Sequence, residues 1–174
     1  MTPAELNALD RAGFVALLGG VFEHSPWIAD SAYERRPFAS IASLHAAMVA
    51  IVSAAGEERQ LALLRAHPEL AGKAMVRREL TADSTNEQTG AGLAECTPAE
   101  FERLRGLNEQ YNAKFGFPFV LAVKGYDRAG ILREFARRIE HDRATEFMEN
   151  LAQVAKIARF RLDALFATWP SARR

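Results

Sequence analysis

The sequence holds a single cysteine, Cys96, so no disulfide can close within the chain, which suits a reducing compartment. Cys96 lies just before a helix start with no histidine near it in sequence, and it reads as a small half-buried side chain rather than a nucleophile. Charge of neither sign is in excess, since 22 Lys and Arg balance 22 Asp and Glu. A nucleic-acid binder gathers a basic excess on one face. Here the basic pairs Arg35-Arg36, Arg77-Arg78, Arg137-Arg138 and Arg173-Arg174 are scattered and read as solvated helix surface or tail. No apolar run approaches the roughly 20 residues of a membrane span, and no secretory segment opens the chain. The last residues are not a peroxisomal address. The expectation is a soluble cytoplasmic protein that binds neither nucleic acid nor membrane. Metal-ligand patterns are missing too: there is no HExxH, no cysteine pair, and no two histidines at i, i+4. A phosphate-cradling glycine loop and a nucleophile elbow are likewise absent. Catalysis by this chain should therefore be acid–base or electrostatic work, without metal or cofactor.

What is present is helix. Thr2-Pro3-Ala4-Glu5 and Thr97-Pro98-Ala99-Glu100 each place a threonine N-cap, a proline at the first helical position and a glutamate that closes a capping box. Their recurrence is shared capping chemistry, not duplication. Phe14, Leu17, Leu18 and Val21 fall at helical spacing. Ser25-Pro26 opens a short helix to about Tyr33, and Ser40 begins a longer one ended by Gly56. Glu57 to about Ala66, Pro98 to about Phe115, Asp127 to about His141 and Arg143 to about Thr168 read as further helices. Phe115 to Gly125 is too short and too broken for a regular helix. The length, 174 residues, and the lack of a repeat or low-complexity linker give one all-α domain, residues 1–174. It is a compact bundle of about eight or nine helices, with one short non-helical Phe-Pro-Phe segment.

Chemistry concentrates in a few places. Pro68 disfavours helical geometry at His67, so His67 closes its helix, where the dipole favours an imidazolium. That suits a general acid or an anion site; a surface histidine serving as a C-terminal cap would look the same. His24, His45 and His141 read as structural or exposed. Ser84-Thr85-Asn86-Glu87-Gln88 is a run of hydrogen-bonding side chains. It is either the start of a helix, with Ser84 as N-cap and Glu87 closing a capping box, or a reader of a polar heterocycle; the two are compatible. On the last helix, Phe147, Leu151, Val154, Ala158 and Leu165 form an apolar stripe, and Arg161 falls inside it. An arginine facing a core is costly unless paired, and snorkelling is the alternative. Phe117-Pro118-Phe119 offers an apolar wall, or simply core.

Taken together, His67-Pro68-Glu69-Leu70-Ala71-Gly72, Ser84 to Gln88 before Gly92-Leu93, Tyr111 to Val120 with Val123-Lys124-Gly125, and Ile157 to Leu162 resemble the OHCU decarboxylase family. The likeness covers about residues 10 to 166. Its substrate is 2-oxo-4-hydroxy-4-carboxy-5-ureidoimidazoline (OHCU), the intermediate that precedes (S)-allantoin in urate degradation. The resemblance implies an all-helical, cofactor-free and often dimeric enzyme. It puts a catalytic histidine on His67 and an essential glutamate on Glu87. It puts substrate contacts on Pro68, on Ser84, Thr85, Asn86 and Gln88, on Phe117, on the backbone from Phe119 through Val120, Leu121 and Ala122 to Val123, and on Arg161. Thr89 stands where relatives commonly have alanine. Small-molecule substrate apart, the implied partners are a second copy of the chain and a pathway neighbour, hydroxyisourate hydrolase. Two rival readings are a helical interaction module without catalysis and a hydrolase of a related ureide.

Overall fold

A computed structural model describes residues 2–72 and 79–167. The pairs Arg77-Arg78 and Arg173-Arg174 lie outside those residues. The described chain is all-α, with nine α-helices and one short 3-10 turn. They are α1 (Pro3–Ala8), α2 (Arg11–Leu18), α3 (Pro26–Tyr33), α4 (Ile41–Ala54), α5 (Glu57–Ala66), α6 (Ala82–Gly90), α7 (Pro98–Phe115), α8 (Arg128–Arg138) and α9 (Arg143–Leu165), with the 3-10 turn at Leu93–Glu95. No single helix among the described residues is long and apolar enough to cross a membrane.

The helix ends follow their caps. Thr2 and Thr97 close the expected capping boxes with Glu5 and Glu100, and Ser40 closes a third with Ser43. Gly116 ends α7 at φ +81, a left-handed conformation that a side chain resists. The polar run departs from one expectation. Ser84 is not the cap of α6; Thr81 is, and its side chain accepts from the Ser84 N–H. The earlier threonine satisfies the first turn, so Ser84 to Gln88 lie inside the helix and Glu87 closes no box.

Contacts divide the chain into two units. One comprises Met1–Ala66 with Ala155–Arg174, the other His67–Val154. In the first unit the core holds Phe14, Leu18, Ile28, Leu44 and Met48, all fully buried. Arg36 corrects the reading of its pair as solvated surface. It is half-buried, stacks on Tyr33, and donates to the carbonyls of Asn7 and Leu9 at 2.8 and 2.9 Å. Carbonyls left over at the end of α1 need donors, and a long planar cation reaches them.

In the second unit an aromatic cluster of Tyr111, Phe115, Phe117, Phe119 and Phe135 surrounds a polar core. Arg138 overturns the surface reading more completely, being 0% exposed. Its Nε and Nη2 donate to Glu146 at 2.8 and 2.5 Å and its Nη1 to the Val120 carbonyl at 2.7 Å. Along α9 the expected stripe holds for Phe147, Val154 and Ala158, while Leu151 is half-buried and Leu165 is 44% exposed. A strict pattern drifts around a helix with 3.6 residues per turn. Ile157 and Leu162 take the buried places instead.

Candidate functional site

The two organising stretches of the sequence meet in the second unit. His67 directly follows α5 and is buried, so the surface-cap alternative does not hold. Beyond it the chain is held at several points. Ala71 N–H donates to Gln88 Oε1 at 3.0 Å, and Gln88 Nε2 donates to the Glu69 carbonyl at 3.3 Å. From α7, Asn108 Nδ2 donates to the Leu70 carbonyl at 2.9 Å and Asn112 Nδ2 to Glu69 Oε1 at 2.6 Å. Gly72 is required by this packing, because a Cβ there would come within 2.7 Å of the Glu69 side chain.

Helical spacing sorts the polar run on α6. Ser84 and Gln88, one turn apart, share the buried face. Glu87 is half-buried beside them, and Thr85 and Asn86 are exposed. Thr85 donates to the carbonyl of Thr81. The structure thus groups Ser84 and Gln88 with the His67–Gly72 segment, and turns Thr85 and Asn86 to solvent. Gln88 has a task the sequence did not reveal: both ends of its amide clamp that segment.

In the non-helical stretch after α7 the aromatic rings are packed inside the second unit. Phe117 stacks on Phe115 with ring centroids 5.9 Å apart, and Phe119 stacks on Phe135 at 3.8 Å. Both rings are core, and Pro68 is half-buried. Val120 N–H donates to Asn150 Oδ1 at 2.8 Å and Ala122 N–H to Gln153 Oε1 at 3.1 Å. These two N–H groups point toward α9.

Arg161 belongs to the first unit. It is buried among apolar residues as expected, and it is paired: Nη1 donates to Glu23 Oε2 at 2.7 Å and to the Gly20 carbonyl at 3.3 Å. Glu23, 2% exposed, was missed because its partner lies 138 residues away in sequence. Arg138, Glu146, Asn150 and Gln153 were missed as well. Arg138 did leave a signal: it extends the buried row Ile131, Phe135 on α8.

Electrostatics in the second unit favour neutral or compensated groups. Burial, then the hydrogen bond to Glu146, pushes the Tyr111 phenol far up, so it stays protonated. Burial and the nearby Glu100 carboxylate raise the Cys96 thiol, which removes it as a thiolate. His141 Nδ1 lies 2.7 Å from Glu146 Oε2, and in the first unit His45 Nε2 lies 2.8 Å from the Ala155 carbonyl. His24 is exposed. Among the described residues no three His, Cys, Asp or Glu side chains converge into a metal-binding group.

These features define a helical protein whose polar groups are clamped amides, main chain and compensated charges. A family model described as OHCU decarboxylase matches residues 7–163. The chain belongs to the OHCU decarboxylase family. It is 43% identical over 161 residues, 92% of its length, to the uric acid degradation bifunctional protein PucL of Bacillus subtilis, of which it covers 32%. It therefore spans about a third of that relative. It is 42% identical over 165 residues to the 2-oxo-4-hydroxy-4-carboxy-5-ureidoimidazoline decarboxylase of Halalkalicoccus jeotgali, covering 95% of this chain and 92% of that one. A crystal structure of (S)-allantoin synthase superposes with a TM-score of 0.76 at 32% identity, over 95% of this chain and 54% of that one.

Proposed function

We propose that this chain is a carboxy-lyase that converts OHCU to (S)-allantoin, the reaction for which its full-length relatives are named. The carrying observation is the clamp of Gln88 on the His67–Gly72 segment, which joins the two polar stretches that identify the family. The family match over residues 7–163 draws on both units, and we read residues 1–174 as a single catalytic domain.

The substrate is its own electron sink. The bond from C4 to the carboxylate breaks and CO₂ leaves. The released pair forms a C4=C5 bond, while the ring C=N pair takes a proton at nitrogen. The resulting enol gives up its hydroxyl proton as C4=O forms, and C5 takes one proton on one face. No step calls for a cofactor, and activity should survive dialysis against a chelator. His67 with Glu87 manages the hydroxyl and carboxylate end and its proton transfer. Arg161, Ser84, Gln88, Pro68 and the main chain from Phe119 to Val123 hold the ring and ureido groups. Arg161 enters that task already neutralised by Glu23, which suits an oriented donor to carbonyl oxygens more than a counter-ion to a carboxylate.

The test is circular dichroism of urate oxidised by uricase and hydrolysed by hydroxyisourate hydrolase, with and without this protein. A fast rise of the (S)-allantoin signal that is lost in folded His67→Gln and Glu87→Gln variants is expected. Spontaneous decay to racemic product in the presence of the wild-type chain would refute the assignment. We further place the chain in the cytoplasm as a homodimer that receives substrate from a hydroxyisourate hydrolase. Light scattering at twice 19.2 kDa tests the dimer, and co-elution with that hydrolase tests the partnership.

A further inference from the structure

Peptide groups outside helices must find partners elsewhere, and in a helical protein those partners are side chains. The Phe117–Val123 segment shows this arrangement. Asn150 and Gln153, one turn apart on α9, accept from the N–H groups of Val120 and Ala122 at 2.8 and 3.1 Å. Arg138 donates to the Val120 carbonyl at 2.7 Å. The amides doing this are themselves fixed. Asn150 Nδ2 donates to the Tyr111 hydroxyl at 2.9 Å, and its Oδ1 also accepts from Arg138 Nη2 at 2.9 Å. Gln153 Nε2 donates to Glu149 Oε1 at 2.8 Å. Each carbonyl oxygen is thereby aimed at the segment, and neither amide can turn over without setting donor against donor.

With Val120 and Ala122 held on that side, Leu121 between them presents its N–H and C=O to the other. Leu121 is 3% exposed, yet among the described residues neither its N–H nor its C=O makes a hydrogen bond. A buried peptide group with donor and acceptor both unused is rare. A donor and an acceptor side by side match the C=O and N–H of a urea or amide edge. A carboxylate would set an oxygen against the Leu121 carbonyl.

We propose that Asn150 and Gln153 are positioning residues: they fix the register of the segment so that the Leu121 main chain reads the neutral ureido edge of the ligand. The proposal rests on the function given above, and its test separates the two. Isotope-labelled protein is titrated with (S)-allantoin and the Leu121 amide resonance is followed. The wild type should show a saturable shift there, and Gln153→Met should weaken that titration. In turnover, Gln153→Met should raise KM about tenfold with little change in kcat, as loss of an interaction made equally in ground and transition states does. The exchange Gln153→Glu with Glu149→Gln, which keeps an acceptor for Ala122, should restore most of the loss; a merely structural role for Gln153 predicts lower stability without the split between KM and kcat. An unshifted Leu121 amide in the wild type overturns the proposal even if turnover is intact. So does a folded Gln153→Met variant with wild-type KM. If the wild type binds allantoin at Leu121 but fails to decarboxylate, the function falls and this assignment stands. If Gln153→Met does not fold, the wild-type titration decides.

Discussion

Replacing Glu146 by glutamine should be among the most damaging single-atom changes this chain can take. Glu146 and Arg138 are both 0% exposed. Glu146 Oε1 accepts from Nε and Nη2 of Arg138 and from the Tyr111 hydroxyl, and Oε2 faces His141 Nδ1 at 2.7 Å. Glutamine keeps the shape and removes the charge, but its NH₂ must then point either at the guanidinium or at the imidazole. Arg138 is left as a buried cation without a counter-charge. Breaking a buried pair in this way costs about 3–5 kcal/mol. At roughly 2–4 °C per kcal/mol for a chain of this size, that is a fall in Tm of about 6–20 °C. Scanning calorimetry and urea denaturation measure it directly. The double change Arg138→Met with Glu146→Leu removes both charges, so it should be less destabilised than the sum of the two single changes. It should not recover fully, because the Val120 carbonyl and the Asn150 amide lose a donor. A fall in Tm of less than about 3 °C in Glu146→Gln, or strictly additive effects in the cycle, would refute the reasoning.

Glu23→Gln removes the carboxylate that Arg161 Nη1 meets at 2.7 Å; it is expected to lower Tm and, on the function proposed above, to raise KM for OHCU, and an unchanged KM in folded protein would show that this pair acts on stability alone. Alkaline stability follows Tyr111. Its pKa is raised above the ordinary 10.0 by burial and by Glu146, so its contribution is complete below that pH and declines as the unfolded phenol ionises above it; Tm measured from pH 8 upward should start to fall near 10.0, and Tyr111→Phe should flatten that limb. At α7, Thr97→Ala removes the acceptor for the Glu100 N–H and should cost about 1 kcal/mol. The hydrogen bonds from Thr97 hold the Glu100 carboxyl below its ordinary value, so this cap contributes above the unfolded pKa of 4.5 and is lost as pH falls through the folded one. The difference in Tm between wild type and Thr97→Ala should therefore shrink in acid.

Local chemistry was legible in the sequence and distant pairing was not. Thr2, Ser40 and Thr97 announce their helices because the cap and its partner lie three residues apart. The closing of α5 before His67 follows from one proline. Arg161 could be singled out by its place in an apolar row, but its partner Glu23 could not, being 138 residues away. Arg138 was hidden by its neighbour: Arg137-Arg138 reads as a surface pair, and only Arg137 is exposed. The row Ile131, Phe135, Arg138 carries the same warning that Arg161 gave. Asn150 and Gln153 left less to read, since an amide between apolar residues on a long helix has no fixed meaning until the chain it binds is known. The capping misassignment on α6 has a plain cause. Thr81 and Ser84 are both good N-caps, and the one that lies first in the chain starts the helix.

The polar core of the second unit also explains why an all-helical protein can carry a non-helical segment inside it. A helix satisfies its own peptide groups and has none to lend, so the Phe117–Val123 stretch could not be buried against helices lined with leucine. Each unmet N–H or C=O would cost on the order of 1–3 kcal/mol. Asn150, Gln153 and Arg138 provide partners for Val120 and Ala122, and Glu146 and Tyr111 keep those side chains in place. A chain of bonds of this kind is rigid because every member has two or more partners. The same rigidity is what a reader of small polar heterocycles needs. Its donors must already point where the ligand oxygens will sit, because ordering them on binding would consume the affinity. On the ligand-reading role proposed above, fold and site place one demand on α9, and a substitution there should register in stability and in ligand binding together.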